Sequence, residues 1–250
     1  MPEDVSRETP PVPSVARGVF GARLPLIEEF AALLANDGVL RGLLGPREAP
    51  RLWDRHLLNC AVVADAIPVG ADVCDIGSGA GLPGLVLAIR RPDLAVTLVE
   101  PLLRRVTFLD EVVEVLGLGS VTVVRARAQE LHGKRDFAVV TSRAVAPLGR
   151  LLDWSMPLVR AGGAVIAMKG SSAEDELRSA HRELRNHGAG PTEVVVLGAD
   201  ILDPPTTVVR VEAGRSPRLG WGATQEEQRP GAGPSASRRG EQRRRKDKGR

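Results

Sequence analysis

Two amphipathic stretches follow a Pro-rich start. Between residues 14 and 67, apolar side chains recur at three- and four-residue spacing, the period of a helix with one buried face. The first stretch places Leu24, Ile27 and Phe30 on this face, and we expect it to end at the run Asn36-Asp37-Gly38. The second spans about Pro50–Ala66, with a proline in its first turn. The pattern therefore predicts a helical region at residues 14–70.

From residue 71 onward, short apolar runs alternate with amphipathic segments. Strands are predicted at Asp72–Ile76, Ala95–Val99, Val121–Val124, Phe137–Val140, Ala164–Met168, Glu193–Leu197 and Thr206–Val211. Helices are predicted at Leu82–Arg90, Leu103–Leu116, Pro147–Leu158 and Ala173–Asn186. Strand–helix alternation favours an α/β fold with a mostly parallel sheet covered on both faces. No helix separates the last two strands, so we expect them to pair antiparallel at one edge.

Charge divides the 250 residues into two parts. Residues 215–250 carry 11 Lys and Arg against 4 Asp and Glu, whereas residues 1–214 carry 23 against 27, a net charge of −4. The sequence predicts disorder at 1–13 and in the basic tail 215–250, a helical cap at 14–70, and an α/β core at 71–214.

Composition also narrows the function classes. No apolar run is long enough to span a membrane, and the polar first residues lack a secretory signal, so we expect a cytoplasmic protein with no membrane partner. Cys60 and Cys74 are the two cysteines, and neither lies in a CxxC pattern. We therefore expect no metal site and no disulfide framework. Nothing in the sequence requires more than a monomer.

A glycine-rich turn follows the first predicted strand. The run DIGSGAGLPG at residues 75–84 joins this strand to the next helix. In a doubly wound sheet such a turn lies at the carboxyl ends of the strands, where ligands bind, and glycine lets a ligand approach the backbone. Residues 79–84 also match the dinucleotide pattern GxGxxG, so an NAD-dependent oxidoreductase is one interpretation. Glu100 ends the second strand, where a carboxylate can accept hydrogen bonds from ribose hydroxyls.

Asp75 discriminates between the two ligand classes. Its carboxylate precedes the glycines and would repel the pyrophosphate of a dinucleotide, whereas it would attract the sulfonium and ammonium groups of S-adenosylmethionine. The sequence therefore favours S-adenosylmethionine. A third interpretation is a non-catalytic RNA-binding protein that uses the basic tail.

Four further segments accompany the glycine turn. They are RLWDRHL at 51–57, EPLLRRVTFL at 100–109, SRA at 142–144 and MKG at 168–170. Together the five segments resemble the bacterial small-subunit rRNA guanine-N7 methyltransferases, the glucose-inhibited division protein B family, over about residues 20–212. Two positions depart from the family pattern. Asn59-Cys60 stands where Asp-Ser is common, and Gln129 stands where Glu is frequent.

The resemblance implies a fold and a reaction. The expected fold is the Rossmann-like S-adenosylmethionine-dependent methyltransferase fold, a seven-stranded-type sheet with a closing antiparallel hairpin, preceded by N-terminal helices. The expected reaction transfers a methyl group from S-adenosylmethionine to N7 of a guanine in 16S rRNA, as free RNA or within the small ribosomal subunit. Guanine N7 has a lone pair and no proton to lose. In-line placement and exclusion of water therefore suffice without a general base.

The resemblance also implies site residues. Contacts with S-adenosylmethionine are expected from Asp75, Gly77, Gly79, Gly81, Leu82, Glu100, Ala128, Gln129 and Arg143. Arg143, Lys169 and His56 are expected to position the substrate. The residues alone leave alternatives open, because Arg143 could form a structural ion pair, Lys169 could be a solvated lysine at a strand end, and His56 could be a satisfied surface histidine.

Overall fold

One seven-stranded sheet organises the protein, and a computed structural model describes residues 11–143 and 145–214. The strands are β1 (Asp72–Ile76), β2 (Ala95–Val99), β3 (Val121–Val124), β4 (Phe137–Arg143), β5 (Val159–Lys169), β6 (Ala189–Leu197) and β7 (Thr206–Ala213). Their order across the sheet is β3-β2-β1-β4-β5-β7-β6. Strands β1 to β5 pair parallel, and β7 pairs antiparallel with both β5 and β6. The predicted sheet and its closing hairpin are thus confirmed.

Eight α-helices surround the sheet in the part of the chain that the structure describes. They are α1 (Ser14–Phe20), α2 (Leu24–Leu33), α3 (Leu58–Val62), α4 (Gly84–Arg90), α5 (Leu103–Val115), α6 (Leu148–Ser155), α7 (Ala173–Ser179) and α8 (His181–Asn186). Short 3-10 turns and two π-helical segments, Leu34–Gly38 and Trp53–Leu57, link several of them. No helix among the described residues is long and apolar enough to cross a membrane.

The sheet separates two apolar clusters. One contains buried side chains of the N-terminal helices, α4 and α5, and the other contains those of α6. Phe30 and Trp53 of the N-terminal region belong to the same cluster as Val73 of β1. The N-terminal helices therefore share their core with the sheet.

Side chains of β1 alternate between the two faces of the sheet. Val73 packs in the cluster on the α4 face, whereas Cys74 and Ile76 pack in the cluster on the α6 face. Because successive side chains of a strand point to opposite faces, Asp75 points the same way as Val73, toward α4.

The predicted helix break at Asn36-Asp37-Gly38 is wrong. The chain passes through this run as a π-helical turn and stays helical to Leu40. The Asn36 amide donates to the carbonyl of Ala32 inside the helix, at 2.8 Å, instead of capping an end. The left-handed residue that accompanies the end of the helix is Gly42, with φ of 65°.

Two other helix predictions need smaller corrections. The helix predicted from Leu82 begins at Gly84, because the residues before it still belong to the glycine turn. The helix predicted at Ala173–Asn186 divides at Ala180 into α7 and α8. The disorder predicted at 1–13 lies outside the described residues except at 11–13, which are neither helix nor strand, and the disorder predicted at 215–250 lies wholly outside them.

Candidate active site

A cleft of about 810 Å³ opens at the carboxyl ends of β1, β2 and β4. The turns after these strands and after β3 form most of its wall, together with residues of the N-terminal helical region. Of the residues expected to contact cofactor or substrate, those lining the cleft are His56, Gly77, Gly79, Leu82, Glu100, Ala128, Gln129 and Arg143. The fold therefore brings together candidates that lie far apart in the sequence.

The glycine turn forms one side of the cleft. Gly77 and Gly79 have φ values of 68° and 58°, a conformation that other residues adopt only with strain. A Cβ at Gly77 would also lie 2.9 Å from Cγ2 of Val145, another cleft residue. The amides of Gly77 and Ser78 donate to the carbonyl of Val99 at 2.8 and 3.2 Å. These bonds fix the turn against the end of β2.

Asp75 does not line the cleft, contrary to its expected contact with the cofactor. The carboxyl is fully buried, and its Oδ2 accepts a hydrogen bond from the amide of Gly84 at 3.0 Å. Oδ1 has no hydrogen-bond partner among the residues that the structure describes. Burial raises the pKa of Asp75 to about 7, against the partial counter-effect of the Gly84 amide. Asp75 thus joins β1 to the start of α4. It can do so because its side chain lies on the face of the sheet that α4 covers.

Gly81 also lies outside the cleft wall. Its φ is 90°, and a Cβ there would collide with the side chain of Leu85 in α4. The glycine is thus required for close packing of the turn on α4, whereas a direct cofactor contact is not supported by its position.

Lys169 is held away from the cleft. Its Nζ donates to the carbonyl of Ala146 at 2.7 Å and to Oε2 of Glu176 at 2.8 Å, and only 7% of the side chain is exposed. Neither the expected substrate contact nor the alternative of a solvated lysine fits this position. Lys169 ties the end of β5 to α7 and to the segment after β4.

Glu100 presents a buried carboxylate at the end of β2. Oε2 accepts from the amide of Gly79 at 3.0 Å, and Oε1 accepts from the amide of Leu102 at 3.0 Å. Arg105 lies 3.4 Å from Oε2. Two amides and the Arg105 cation thus hold the Glu100 carboxylate in place within the cleft wall. A carboxylate fixed in this way is suited to accept further hydrogen bonds from a ligand.

Ala128 and Gln129 begin a 3-10 turn, Ala128–Leu131, after β3. Glu130 closes the start of this turn by accepting a hydrogen bond from the amide of Arg127 at 2.9 Å. Ala128 is buried, and the exposed Gln129 follows it on the cleft wall. The amides in the first turn of a helix lack intrahelical partners, so this turn can offer donors to a heterocyclic ring.

Arg143 ends β4, and its guanidinium contacts two side chains of the N-terminal helical region. Nη2 donates to Nδ1 of His56 at 2.6 Å, and Nη1 lies 3.5 Å from Sγ of Cys60. Nε2 of His56 in turn lies 2.8 Å from Oε2 of Glu48. Burial and then the Arg143 cation lower the pKa of His56. The two open alternatives, an ion pair for Arg143 and a surface position for His56, do not fit these contacts.

Comparison with known proteins identifies the family of this chain. The family GidB, described as rRNA small subunit methyltransferase G, matches residues 23–203. The chain belongs to the GidB family. A protein named ribosomal RNA small subunit methyltransferase G from Nocardioides sp. is 63% identical over 222 residues, which cover 88% of this chain and 89% of that protein. One of the same name from Streptomyces avermitilis is 57% identical over 211 residues, covering 84% and 89%.

Solved structures support the fold of this GidB-family chain. TYW2 of M. jannaschii, determined in complex with AdoMet, aligns with a TM-score of 0.52 at 16% identity, covering 64% of this chain and 76% of that one. A SAM-dependent O-methyltransferase from Thermotoga maritima aligns with a TM-score of 0.50 at 15% identity, covering 63% and 65%. The Rossmann-like methyltransferase fold is thus confirmed. Neither the oxidoreductase interpretation nor the non-catalytic one is supported by these comparisons.

Several cleft residues of this GidB-family site escaped the sequence analysis. They are Leu43, Leu44, Ser78, Ala80, Leu102, Arg127, Val145 and Trp154. Glu48, which supports His56 from behind, also escaped it. Leu102 lies two residues after Glu100, so its place near the cleft could have been inferred from the sequence. The segment with Leu43, Leu44 and Glu48 has neither helical nor strand periodicity, so its position follows only from the folded chain.

Proposed function

We propose that this protein transfers a methyl group from S-adenosylmethionine to N7 of a guanine in 16S rRNA. The observation that carries the proposal is one cleft, in a GidB-family chain, that joins the glycine turn and Glu100 to an arginine held at the end of β4. Relatives of high identity bear the name ribosomal RNA small subunit methyltransferase G, which supports the class of substrate.

The cleft fits S-adenosylmethionine. Gly77 and Gly79 bring backbone without a side chain to the cleft wall, and the buried carboxylate of Glu100 can accept hydrogen bonds from ribose hydroxyls. Ala128 and Gln129 would border the adenine, and Leu82 would contribute apolar surface. When bound, S-adenosylmethionine supplies a methyl group on a positively charged sulfur. The raised pKa of Asp75 and its distance from the cleft wall mean that this carboxylate does not supply the counter-charge.

The protein's own groups suit a reaction without proton transfer. Glu100 is engaged by amides, and His56 offers its Nδ1 lone pair to Arg143 rather than to a substrate. N7 of guanine needs no base, so these groups need only bind and orient. A guanidinium directed at guanine O6 or at a phosphate would hold the base while leaving the N7 lone pair free.

Several finer features belong to the same proposal. We infer that the acceptor is 16S rRNA or the small ribosomal subunit, that the protein acts as a monomer in the cytoplasm, and that Arg143 contacts cofactor as well as substrate. The family description and the names of the relatives support the first inference. The position of Arg143 on the cleft wall supports the last.

Methyl transfer from labelled S-adenosylmethionine tests the proposal. The acceptors are 16S rRNA and small subunits from a strain that lacks this protein, and the labelled nucleoside is identified by mass spectrometry. We expect 7-methylguanosine, and loss of the label with the variant Arg143→Ala. Arg160→Ala is the matched control, since Arg160 pairs with Asp72 and Asp136 at the opposite end of the strands. Label on another atom or on no RNA would overturn the proposal.

A further inference from the structure

Glu48 stands behind the cleft and joins two cationic or potentially cationic side chains. Its Oε2 lies 2.8 Å from Nε2 of His56, and its Oε1 lies 3.5 Å from Nη1 of Arg55. A turn with a hydrogen bond from the amide of Glu48 to the carbonyl of Gly45, at 2.8 Å, presents this carboxylate just before the 3-10 turn Ala49–Arg51. Glu48 itself is not part of the cleft wall.

The partners of the two ring nitrogens of His56 determine which nitrogen carries the proton. A guanidinium has only donors, so the ring nitrogen that faces Arg143 must offer a lone pair, and Nδ1 is therefore unprotonated. The remaining ring proton must lie on Nε2, which donates it to Glu48. A carboxylate accepts but cannot donate, so Glu48 stabilises the same tautomer that the Arg143 contact requires. An amide could also donate to Nε2 and so stabilise the other tautomer, in which Nδ1 carries the proton and Arg143 loses its acceptor. Burial of the ring, with 8% exposed, keeps water from serving instead.

The arrangement leaves the charge of Arg143 available to the cleft. Within residues 11–143 and 145–214, Arg143 forms no ion pair with a carboxylate. Its neighbours are the neutral ring of His56 and the thiol of Cys60, whose pKa is raised chiefly by burial. The guanidinium is thus held in place and keeps its positive charge. A guanidinium with this charge available can bind an electron-rich group such as a carbonyl oxygen or a phosphate.

We infer that Glu48 is a positioning residue for methyl transfer: through the tautomer of His56 it fixes the guanidinium of Arg143 on the cleft wall. Glu48, His56 and Cys60 together form what we term the arginine anchor. The inference rests on the proposed function for its kinetic consequences, whereas the tautomer of His56 does not depend on which RNA is the acceptor.

Nuclear magnetic resonance of ring ¹⁵N nuclei tests the anchor directly. The full-length protein is labelled at histidine, and His56→Asn assigns the signals of His56. We expect the wild type to show the Nε2–H tautomer with an acceptor Nδ1, and Glu48→Gln to show a mixture. Glu111→Gln is the matched control, because Glu111 is also half-exposed and paired with an arginine, Arg41. An unchanged tautomer in Glu48→Gln would overturn the inference whatever the substrate.

Kinetics supply the second readout. We expect Glu48→Gln to lower kcat/KM about tenfold, the effect typical of losing a partner that orients a functional histidine, while Glu111→Gln keeps the wild-type value. The acid limb of the pH profile should move to lower pH, because Glu48 raises the pKa of His56 whereas Arg143 and Arg55 lower it. A loss of activity with an unmoved acid limb and a lower melting temperature would mean a purely structural role.

A double-variant comparison completes the test. The side-chain carbonyl of His56→Asn can accept from Arg143 without any help from Glu48. In that background Glu48→Gln should have no further effect on kcat/KM, whereas equal effects in both backgrounds would overturn the inference. If the wild type shows the expected tautomer but methylates no RNA, the proposed function fails and the arginine anchor stands.

Discussion

The carboxyl of Asp75 accepts a hydrogen bond from the amide of Gly84 at 3.0 Å, which ties the end of β1 to the first residue of α4. A Cβ at Gly84 would lie 2.7 Å from that same oxygen, so the contact requires glycine. The two ends of the glycine turn are therefore joined by the Asp75 carboxyl, whose pKa is raised by burial to about 7.

This contact predicts an unusual dependence of stability on pH. The pKa of Asp75 is 3.8 ordinarily and about 7 in the fold, so the native state keeps a proton that the unfolded chain has lost. Its contribution is complete below the ordinary value and is lost as the pH rises to about 7. Relative to Asp75→Asn, we expect the free energy of unfolding of the wild type to fall by about 1 to 3 kcal/mol between pH 4.5 and 7.5 (roughly the interval between the two pKa values).

Denaturant titrations across this pH range measure that difference. Asp93→Asn is the control, because Arg91 and the Gly70 amide hold the pKa of Asp93 below its usual range, so its contribution is constant over the interval. Parallel curves for the wild type and Asp75→Asn would contradict the prediction.

Gly77→Ala should weaken cofactor binding more than it weakens the fold. The new Cβ would lie 2.9 Å from Cγ2 of Val145, so this cleft residue would have to shift, in addition to the strain of positive φ. Gly117→Ala separates the two effects, since Gly117 has φ of 60° but nothing within 4 Å of a Cβ. We expect both variants to lose about 1 kcal/mol of stability and only Gly77→Ala to bind S-adenosylmethionine more weakly by calorimetry. Equal affinities would show that the turn does not border the cofactor.

Glu100→Gln should lower the affinity for S-adenosylmethionine. An amide has one acceptor oxygen, so its NH₂ group would face the amide of either Gly79 or Leu102, both of which are donors. We expect Kd to rise by about 10- to 100-fold, the loss of one hydrogen bond to a charged group. Glu114→Gln, at an exposed position of α5, should bind as the wild type does. If the two variants bind alike, Glu100 is only a structural brace.

Lys169→Met should destabilise the protein without changing its affinity for RNA. The variant removes hydrogen bonds to Ala146 and Glu176 in a largely buried position, which predicts a loss of about 1 to 3 kcal/mol. Thermal unfolding and RNA-binding titrations measure the two effects, with the exposed Lys134→Met as control. Weaker RNA binding at unchanged stability would restore the substrate contact expected from the sequence.

The sequence predicted the strands and the strand ends that form the cleft for one physical reason. In a parallel sheet, the residues that end successive strands meet at one edge, so Gly77, Glu100 and Arg143 could be grouped without coordinates. Asp75 is an exception, because its charge favours a ligand contact whereas its face of β1 directs it toward α4. The alternation of Val73, Cys74 and Ile76 between the two faces of the sheet predicts that Asp75 points toward α4.

The rest of the site depends on contacts that no local pattern encodes. His56 and Arg143 are 87 residues apart, and Glu48 lies in an irregular turn. Lys169 ends its strand at the same edge as Arg143, yet a neighbouring glutamate on α7 draws its side chain away. Strand ends define the edge of a sheet on which a residue lies, but competition among neighbours decides where its side chain points.

The order of the strands also constrains how the chain is synthesised and folds. Of the seven strands that the structure describes, β7 leaves the ribosome after the other six, yet it lies between β5 and β6 in the sheet. β6 therefore emerges before the strand that connects it to the rest of the sheet, and β5 keeps an unpaired edge until then. A nascent chain from which residues 206–213 have not yet emerged would expose this edge, so the interval before β7 emerges is the one in which the sheet is most open to wrong partners.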